Sequence, residues 1–305
     1  MRDSCHVGRP RAALLAYAPG MDPTVTAATI GVGGTVIVAL AGFWANVRNT
    51  HKANELTLRA LEITEQGQVA ERYTKAIEQL GSANPDVCIG GIYALERIAK
   101  NSEDDRKTIQ FQLGAFVRNH ARWPDTEDQQ HPTATVDEHL PLMQVRAPDI
   151  WAAMAVLSRR LPMADEQPLY LSRVDLRGFR LDDAKLPGVV MRHTNLARAR
   201  LPAAQLDQSD LTDADLRQAD LEGSQLTGAT LSSAYLQRAN LLAANLSHAD
   251  LRGANLSDAI LDNTTLTGAR ANDATIWPNG INAERRRELG IIEMGQEGEP
   301  STSMP

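Results

Sequence analysis

Residues 219–256 read ADLEGSQLTGATLSSAYLQRANLLAANLSHADLRGANL, with a leucine at every fifth position. The same spacing extends in both directions, so that the positions from Leu171 to Leu266 hold leucine throughout, except for Met191. A period of five fits neither the roughly 3.6 residues of a helical turn nor the two-residue alternation of a strand. The pattern therefore predicts a solenoid, in which each short turn sends one large residue to a shared axis.

A second regularity accompanies the leucines. The residue two places before each of them is mostly small, and a polar residue stands between the two, as in ADL at 219–221 and ANL at 239–241. Large and small side chains that share one narrow interior fill it without overpacking. Glycines such as Gly178 and Gly268 fall two places after the leucine, where a tight corner can demand a positive φ. We therefore expect the leucines and the small residues to face inward, and the polar residue between them to face outward.

These units resemble the A(D/N)LXX repeats of the pentapeptide-repeat family, from Leu169 to Ile276, over about a third of the chain. The resemblance implies a right-handed, four-sided β-helix in which four units make one coil. About five coils at a strand spacing of about 4.8 Å make a rod roughly 25 Å long. The strings ERYTKAIEQLG (71–81) and IGGIYALERIA (89–99) also resemble the membrane-proximal region of membrane-anchored actinobacterial and cyanobacterial members of the family.

The segment from Pro23 to Val47 carries no charged residue. About twenty helical residues cross a hydrocarbon core of about 30 Å, so the segment predicts a single transmembrane helix that contacts the lipid bilayer. Trp44 lies where an interfacial aromatic residue is expected. Two alternatives stay open. One is a buried soluble helix, and the other is a signal peptide cleaved near Ala39-Leu40-Ala41, which would leave a secreted or surface rod.

The orientation of this span depends on the basic residues around it. Three basic residues lie before it, between Met1 and Met21, and a similar number follow it closely. Translation from Met21 would remove the first group, and the positive-inside rule then places the carboxyl-terminal part in the cytoplasm. We therefore expect a single-pass protein of the cell membrane with its repeat domain in the cytoplasm.

The remaining chain is organised around helical patterns. Leu56, Ile63, Ala70 and Ile77 have the seven-residue spacing of an amphipathic helix. We predict an α+β multi-domain chain with an N-terminal transmembrane helix, an α-helical middle region and a C-terminal right-handed quadrilateral β-helix. Its segments are an N-terminal tail (1–22), the span (23–47), a helical region (48–121), a linker (122–146), a capping helix (147–167), the β-helix (168–278), and a C-terminal cap with a disordered tail (279–305).

The sequence offers no pattern for catalysis. It contains no P-loop, no GxSxG and no dinucleotide-binding fingerprint, and its histidines and cysteines lack metal-ligand spacing. We therefore expect no enzyme activity, no cofactor and no metal, and a function in binding. Outward residues twenty apart should stack on one wall, and the candidate interaction column is Arg180, Arg200, Asp220 and Asn240. The alternative interpretation of this column is a self-compensating charge ladder.

Two classes of function remain. The first is a membrane-anchored scaffold that presents a rigid rod to a protein partner of unknown identity. The second follows relatives that mimic DNA and protect DNA gyrase from quinolones, which requires a strongly negative surface. Residues 168–280 hold 13 acidic and 11 basic residues, a net charge of −2, against −7 for the whole chain. This balance favours the scaffold, and no nucleic-acid partner is expected.

The span also suggests a hypothesis about self-association. Small residues lie four apart on one face of it, at Ala27, Gly31, Thr35 and Ala39. Such a spacing lets two membrane helices approach closely. A homodimer through this face is therefore a further hypothesis.

Overall fold

The computed structural model describes the secondary structure of residues 23–123, 135–159 and 168–295, and the side chains in these ranges except those of residues 23–43, 45 and 62. The chain divides into two units, Met1–Gln68 and Val69–Pro305. The helices are α1 (Pro23–Leu80), α2 (Pro85–Asn101), α3 (Glu103–His120), α4 (Met143–Arg146), α5 (Pro148–Ser158) and α6 (Ala283–Glu288). Two short strands are β1 (Arg270–Ala271) and β2 (Ile292–Glu293).

Helix α1 is one uninterrupted element of 58 residues. Over the part of the chain that the structure describes, no helix is long and apolar enough to cross a membrane. The predicted span at 23–47 lies almost wholly outside the side chains that are described, and the tail at 1–22 lies outside the described residues altogether. Membrane insertion through 23–47 therefore stays a prediction.

The carboxyl-terminal end of α1 packs on α2, which forms a small helical bundle with α3 and α5. The Asn84 side chain accepts the backbone N–H of Asp86 to begin α2, and the Ser102 hydroxyl accepts that of Asp105 to begin α3. Close packing of α1 on α2 requires Gly91, because a Cβ atom there would lie 2.7 Å from the Ala76 carbonyl oxygen. The helical middle region predicted from the sequence is thus present, and its core is continuous with that of the repeat.

The repeat forms a right-handed β-helix with four units in each coil. Residues twenty apart form parallel β-bridges, from Tyr170 with Val190 to Asp250 with Arg270. The repeated leucine positions are at most 2% exposed, except for Leu181 and Leu261, which are partly buried. The predicted inward register of the leucines and the coil of four units are therefore confirmed.

Every corner between the units is left-handed. The residue two places after each inward leucine position has φ between 54° and 73°. Glycine, such as Gly178, occupies only some of these corners, and the others hold residues such as Arg173, Asp213 or His248. A left-handed conformation costs a residue with a side chain about 1–2 kcal/mol. The stacking of the coils must therefore impose the corner on whatever residue occupies it.

Helices cover the open amino-terminal end of the solenoid. Inside the repeat, the N–H of each outward residue donates to the coil before it, as Asn195 does to the Val174 carbonyl at 2.9 Å. The first coil has no such neighbour. There the Asp175 N–H donates to the Ala121 carbonyl after α3 at 2.7 Å, and the Lys185 N–H donates to the Ser158 carbonyl at the end of α5 at 2.9 Å. These bonds satisfy groups that would otherwise form an exposed sheet edge.

Side chains complete this cap by donating to carbonyl groups of the first coil. Trp151 Nε1 donates to the Arg180 carbonyl at 3.1 Å, and Arg146 donates to the Arg177 carbonyl at 3.0 Å. Arg118 of α3 donates to the carbonyl of Tyr170. The sequence suggested one capping helix at 147–167, whereas the structure adds α3 from the helical region to the same cap. Residues 160–167 lie outside the described residues.

The predicted linker at 122–146 is not free of the repeat. Arg122 forms an antiparallel bridge with Val174. Arg198 donates to the carbonyl groups of Asp137 at 2.7 Å and Leu140 at 3.3 Å, and Met143 is fully buried. The polar, proline-broken sequence did not reveal these contacts, because their partners lie far away along the chain. Residues 124–134 lie outside the described residues.

The carboxyl-terminal end is closed by an added strand. The backbone N–H of Ile292 donates to the Ala269 carbonyl at 2.8 Å, and that of Met294 donates to the Ala271 carbonyl at 2.7 Å. Strand β2 thereby pairs in parallel with β1 and extends the last coil. Residues 296–305 of the predicted disordered tail lie outside the described residues.

The adjacent residues Leu241 and Leu242 test the register of the repeat. Leu241 is fully buried, so Leu241→Ala should lower the free energy of unfolding by about 2–5 kcal/mol, because the stacked coils cannot collapse around the void. Leu242 faces outward and is only partly buried, so Leu242→Ala should cost less than about 1 kcal/mol. Urea denaturation followed by circular dichroism measures both values. Equal losses would contradict the five-residue register.

Candidate interaction surface

The solenoid has four faces, and each carries one column of outward residues linked by β-bridges. We number the faces in chain order. Face 1 carries Tyr170, Val190, Asp210, Thr230, Asp250 and Arg270; face 2 carries Asp175, Asn195, Asp215, Tyr235, Asn255 and Ile276; face 3 carries Arg180, Arg200, Asp220, Asn240 and Ile260; and face 4 carries Lys185, Gln205, Gln225, Asn245 and Thr265.

Aspartate and asparagine in the outward columns close the corner that follows them. Their side-chain oxygen accepts the backbone N–H of the residue two places later, as Asn240 does from Leu242 at 3.1 Å and Asp250 from Arg252 at 3.2 Å. This is the local turn that these side chains favour. The same contact recurs at Asp175, Asn195, Asp210, Asp215, Asp220, Asn245 and Asn255. The polar residue of the repeat therefore holds the corner in place as well as facing the solvent.

An arginine two places after such an aspartate adds an ion pair to the corner. Arg252 Nη2 lies 2.6 Å from Asp250 Oδ2, and Arg177 and Arg217 make the same pair with Asp175 and Asp215. Burial disfavours the charged form of the Asp250 carboxyl, but the hydrogen bonds from Arg252 and the charge of that guanidinium outweigh burial. The pKa of Asp250 is consequently lowered from its ordinary value.

The candidate column predicted from the sequence stacks on face 3, and its central charges compensate one another. Arg200 Nε donates to Asp220 Oδ2 at 3.2 Å, and Asn240 Nδ2 donates to Asp220 Oδ1 at 3.0 Å. Arg180 begins the column and is exposed, and among the described residues its guanidinium has no hydrogen-bond or ion-pair partner. The side chains of Arg200, Asp220 and Asn240 therefore compensate one another, as in a charge ladder. The positive charge of Arg180 is not compensated by any described residue.

Charge is distributed unevenly along the rod. Residues 169–205 hold seven basic and three acidic residues, a net charge of +4. Residues 206–280 hold four basic and ten acidic residues, a net charge of −6. The first two coils are therefore basic, although the repeat as a whole is nearly neutral. The total of −2 conceals this polarity.

Face 4 differs from the other three in having almost no charge. Lys185 is the only charged residue of its column, and Asn245 Nδ2 donates to Gln225 Oε1 at 3.2 Å. The corner before this face is lined by small residues at Ala203, Gly223 and Ala243. The outward column of face 4 thus offers mainly amide groups, whereas the corner before it also carries Asp182, Asp183, Glu222 and Asp262.

The structure brings together few groups capable of metal binding or catalysis. His193 Nδ1 lies 3.8 Å from Asp213 Oδ2, and both side chains are well exposed. Within the described ranges, no three His, Cys, Asp or Glu side chains lie close enough together to hold a metal ion.

The residues that match a protein-family model are the residues that form these coils. The model for pentapeptide repeats matches residues 170–213, 204–241 and 239–277, with eight copies. The chain carries a pentapeptide-repeat domain. The match begins at residue 170, so it does not bear on the resemblance of 71–81 and 89–99 to membrane-anchored members of the family.

Solved structures of other pentapeptide-repeat proteins are similar to the domain. One is Rfr23 from the cyanobacterium Cyanothece 51142, at 35% identity over 33% of this chain and 65% of that chain, with a TM-score of 0.29. Another is HetL, a protein involved in heterocyst differentiation regulation from the cyanobacterium Nostoc sp. strain PCC 7120, at 28% identity over 37% of this chain and 64% of that chain, with a TM-score of 0.29. The chain thus spans slightly less than two thirds of the length of these two relatives.

QnrB1, a plasmid-mediated fluoroquinolone resistance protein, is a more distant match. It is 16% identical over 40% of this chain and 84% of that chain, with a TM-score of 0.17. A similarity of this size gives no support to the gyrase-protection alternative. No curated protein matches the chain.

The pH dependence of stability tests the ion pairs at the corners. In the Asp250→Asn variant, the side-chain oxygen can still accept the backbone N–H of Arg252, but the negative charge is lost. Because the folded pKa of Asp250 lies below its ordinary value of about 3.9, the ionised carboxylate stabilises the fold above that pH. This stabilisation is lost as the pH falls through the folded pKa. The variant should therefore be less stable than the parent at about pH 6, and the difference should disappear towards about pH 2.

The midpoint of urea denaturation across this pH range measures the effect. Asp258→Asn is the control, because Asp258 is an exposed corner residue without an ion pair among the described residues. This control removes a carboxylate without breaking an ion pair, so it should not show the deficit at about pH 6. A deficit of the Asp250→Asn variant that did not change with pH would show that the ion pair contributes nothing to the corner.

Proposed function

We propose that this chain is a non-enzymatic, membrane-anchored scaffold whose repeat domain binds a protein partner. The filled interior of the solenoid carries the proposal. The inward leucines and alanines are almost completely buried, so only the outer faces are left to meet a ligand. Small-molecule sites are concave pockets, whereas the extended surface of a solenoid suits another macromolecule.

The amino-terminal end of face 3 is the part of the surface best suited to a partner with acidic groups. Arg180 projects from the first coil without a partner among the described residues, and Arg200 stacks beside it. Both belong to the basic part of the rod. An exposed ion pair alone contributes little affinity, but a local excess of one charge steers an oppositely charged partner. We therefore assign the interaction to an acidic segment of a protein.

Anchoring is proposed from the uncharged segment 23–47, which is long enough for one crossing. We expect full-length protein in the membrane fraction, and we expect it to resist extraction with alkaline carbonate and to dissolve in detergent. Amino-terminal sequencing of the same material distinguishes Met1 from Met21 and retention from cleavage. Release of the full-length chain by carbonate would refute the anchor.

Orientation is tested on intact cells with external protease. The repeat domain should survive while the cells are intact and should be cut after lysis. Loss of the repeat before lysis would place it outside the cell and would leave the secreted or surface rod as the explanation.

Partner binding is tested by the substitution Arg180→Glu. Arg180 lacks an ion-pair partner among the described residues, so the reversal should leave thermal stability unchanged while it weakens capture of the partner at least about tenfold. The measurement is chemical cross-linking in cells, followed by affinity purification and mass spectrometry. Arg200→Glu is less suitable, because it would place a second carboxylate beside Asp220 and disturb the coil.

Lys185→Glu is the matched control. Lys185 lies in the same coil, in the equivalent outward position of the adjacent face, so the same reversal of charge occurs one unit away. Its cross-linking profile should equal that of the parent. Equal losses in both variants would indicate a general effect of charge, and unchanged profiles in both would exclude face 3 as the binding surface.

A further inference from the structure

Among the described residues of the first unit, helix α1 presents an apolar surface that no other element covers. From Arg48 to Gln68 every described residue is exposed. Leu56 is 66% exposed and Ile63 is 69% exposed, although both are large apolar residues. An isolated helix in water is marginally stable, and most helices in proteins are stabilised by packing of an apolar face. The described part of α1 within the first unit therefore lacks the packing that would stabilise it.

Some of the apolar residues of this helix, Ala53, Leu56, Ala60 and Ile63, follow a heptad pattern. One row holds Asn46, Ala53, Ala60 and Gly67, each seven residues after the last, and a second row holds Asn49, Leu56 and Ile63. The two rows alternate at spacings of three and four residues, which places them on one seam of a two-stranded coiled coil. From residue 53 to residue 67, the residues of the first row are small and those of the second row are large. This part of the seam therefore alternates between small and large residues.

Three threonines beside the seam are suited to burial. Thr50, Thr57 and Thr64 are also seven residues apart. Each hydroxyl donates to the carbonyl four residues earlier in the same helix, at 2.6, 2.8 and 2.7 Å. Because the hydroxyl donors are already satisfied, a partner helix can cover the threonine methyl groups without leaving a polar hydrogen unpaired.

The charges beside the seam favour a second copy of this chain in parallel orientation. Lys52 and Arg59 lie on one flank of the seam, while the opposite flank holds the neutral residues Thr57 and Thr64. In a parallel pair, each basic residue of one helix meets a threonine of the other. An antiparallel pair would bring the two basic flanks together, and like charges repel at that distance. An Asn in the row of Asn46 is also a device that fixes register in such dimers.

We propose that α1 forms a parallel, two-stranded coiled coil with a second copy of this chain through residues 46–67. The seam is Asn46, Asn49, Ala53, Leu56, Ala60, Ile63 and Gly67. Because the two partners are identical, the interface is symmetric, and each small residue opposes its own copy. This interface differs from the membrane face at Ala27 to Ala39, and it does not depend on the proposed partner of the repeat.

The opposite side of α1 supplies an internal control. Leu58 is 66% exposed and Leu61 is 62% exposed, so they are as accessible as the seam leucine. At about 100° per residue they project from the side of the helix away from Leu56. If exposure alone decided association, both sides of the helix would bind a second helix equally well. The heptad pattern predicts that only the side with Leu56 and Ile63 does so.

Cysteine cross-linking of the full chain tests this coiled coil. The background variant is Cys5→Ser, while Cys88 is kept because it is buried at 2% exposure. Ala53→Cys and Gly67→Cys are then made singly, and the membranes are oxidised and analysed on a non-reducing gel. Gly67 has nothing within 4 Å of an added Cβ atom, so the substitution fits. Both variants should form disulfide-linked dimers, because the Cα atoms across a seam lie within the roughly 7 Å that a disulfide spans.

Asn54→Cys and Gln68→Cys are the matched controls, one residue away from each test position and pointing off the seam. Their yield of dimer should be at least about fivefold lower. Positions 53 and 67 are about 21 Å apart along the helix, so an antiparallel pair cannot link both positions to their own copies. Cross-linking at only one of the two positions, at all four equally, or at none would overturn the proposal.

The oligomeric state provides a second measurement. The double variant Leu56→Gln with Ile63→Gln should have half the mass of the parent by light scattering in detergent. The double variant Leu58→Gln with Leu61→Gln should keep the mass of the parent. The reverse result would place the interface on the opposite side of α1, and no change in either variant would show that α1 does not hold the dimer.

Discussion

The hydrogen bonds between successive coils are the constraint on which the rest of the repeat depends. Each outward residue donates to the coil before it, and the next residue donates to the coil after it, at distances such as 2.8 Å from Asp220 to Ala199 and 2.8 Å from Leu221 to Asn240. A coil of twenty residues can meet these partners only if the chain turns sharply four times. The left-handed corners follow from this requirement. Most residues two places before a leucine position are small because the interior has little room, whereas the first coils also bury Val174, Phe179 and Val189 at this position.

The same constraint explains why the repeat cannot end by itself. A terminal coil leaves a row of donors and acceptors unpaired, which is costly when buried and promotes aggregation when exposed. At the first coil the carbonyl groups of Ala121 and Ser158 replace the missing neighbour. At the last coil strand β2 continues the pairing. The helices between α1 and the repeat therefore complete the solenoid, and they are not an independent appendage.

The outward residues both close the corners of the repeat and form the surface of the rod. Asp and Asn close the corners through their side-chain oxygens, and arginines two places later neutralise several of the carboxylates. Most charges of the faces are thereby used within the rod. Arg180 is one of the charged side chains of the outward columns that have no ion pair among the described residues.

The sequence by itself determined the solenoid and its inward register for Leu171 to Leu266, because a period of five fits neither a helix nor a strand. The coil of four units, and with it the stacked columns, was implied by the resemblance to pentapeptide-repeat proteins. The sequence also identified the uncharged segment at 23–47 and the heptad of α1, since both are local patterns. It did not reveal that α3 and residues 137–140 contact the coils. Those contacts join residues that are distant in sequence and lack a repeating spacing, so only the tertiary structure decided them.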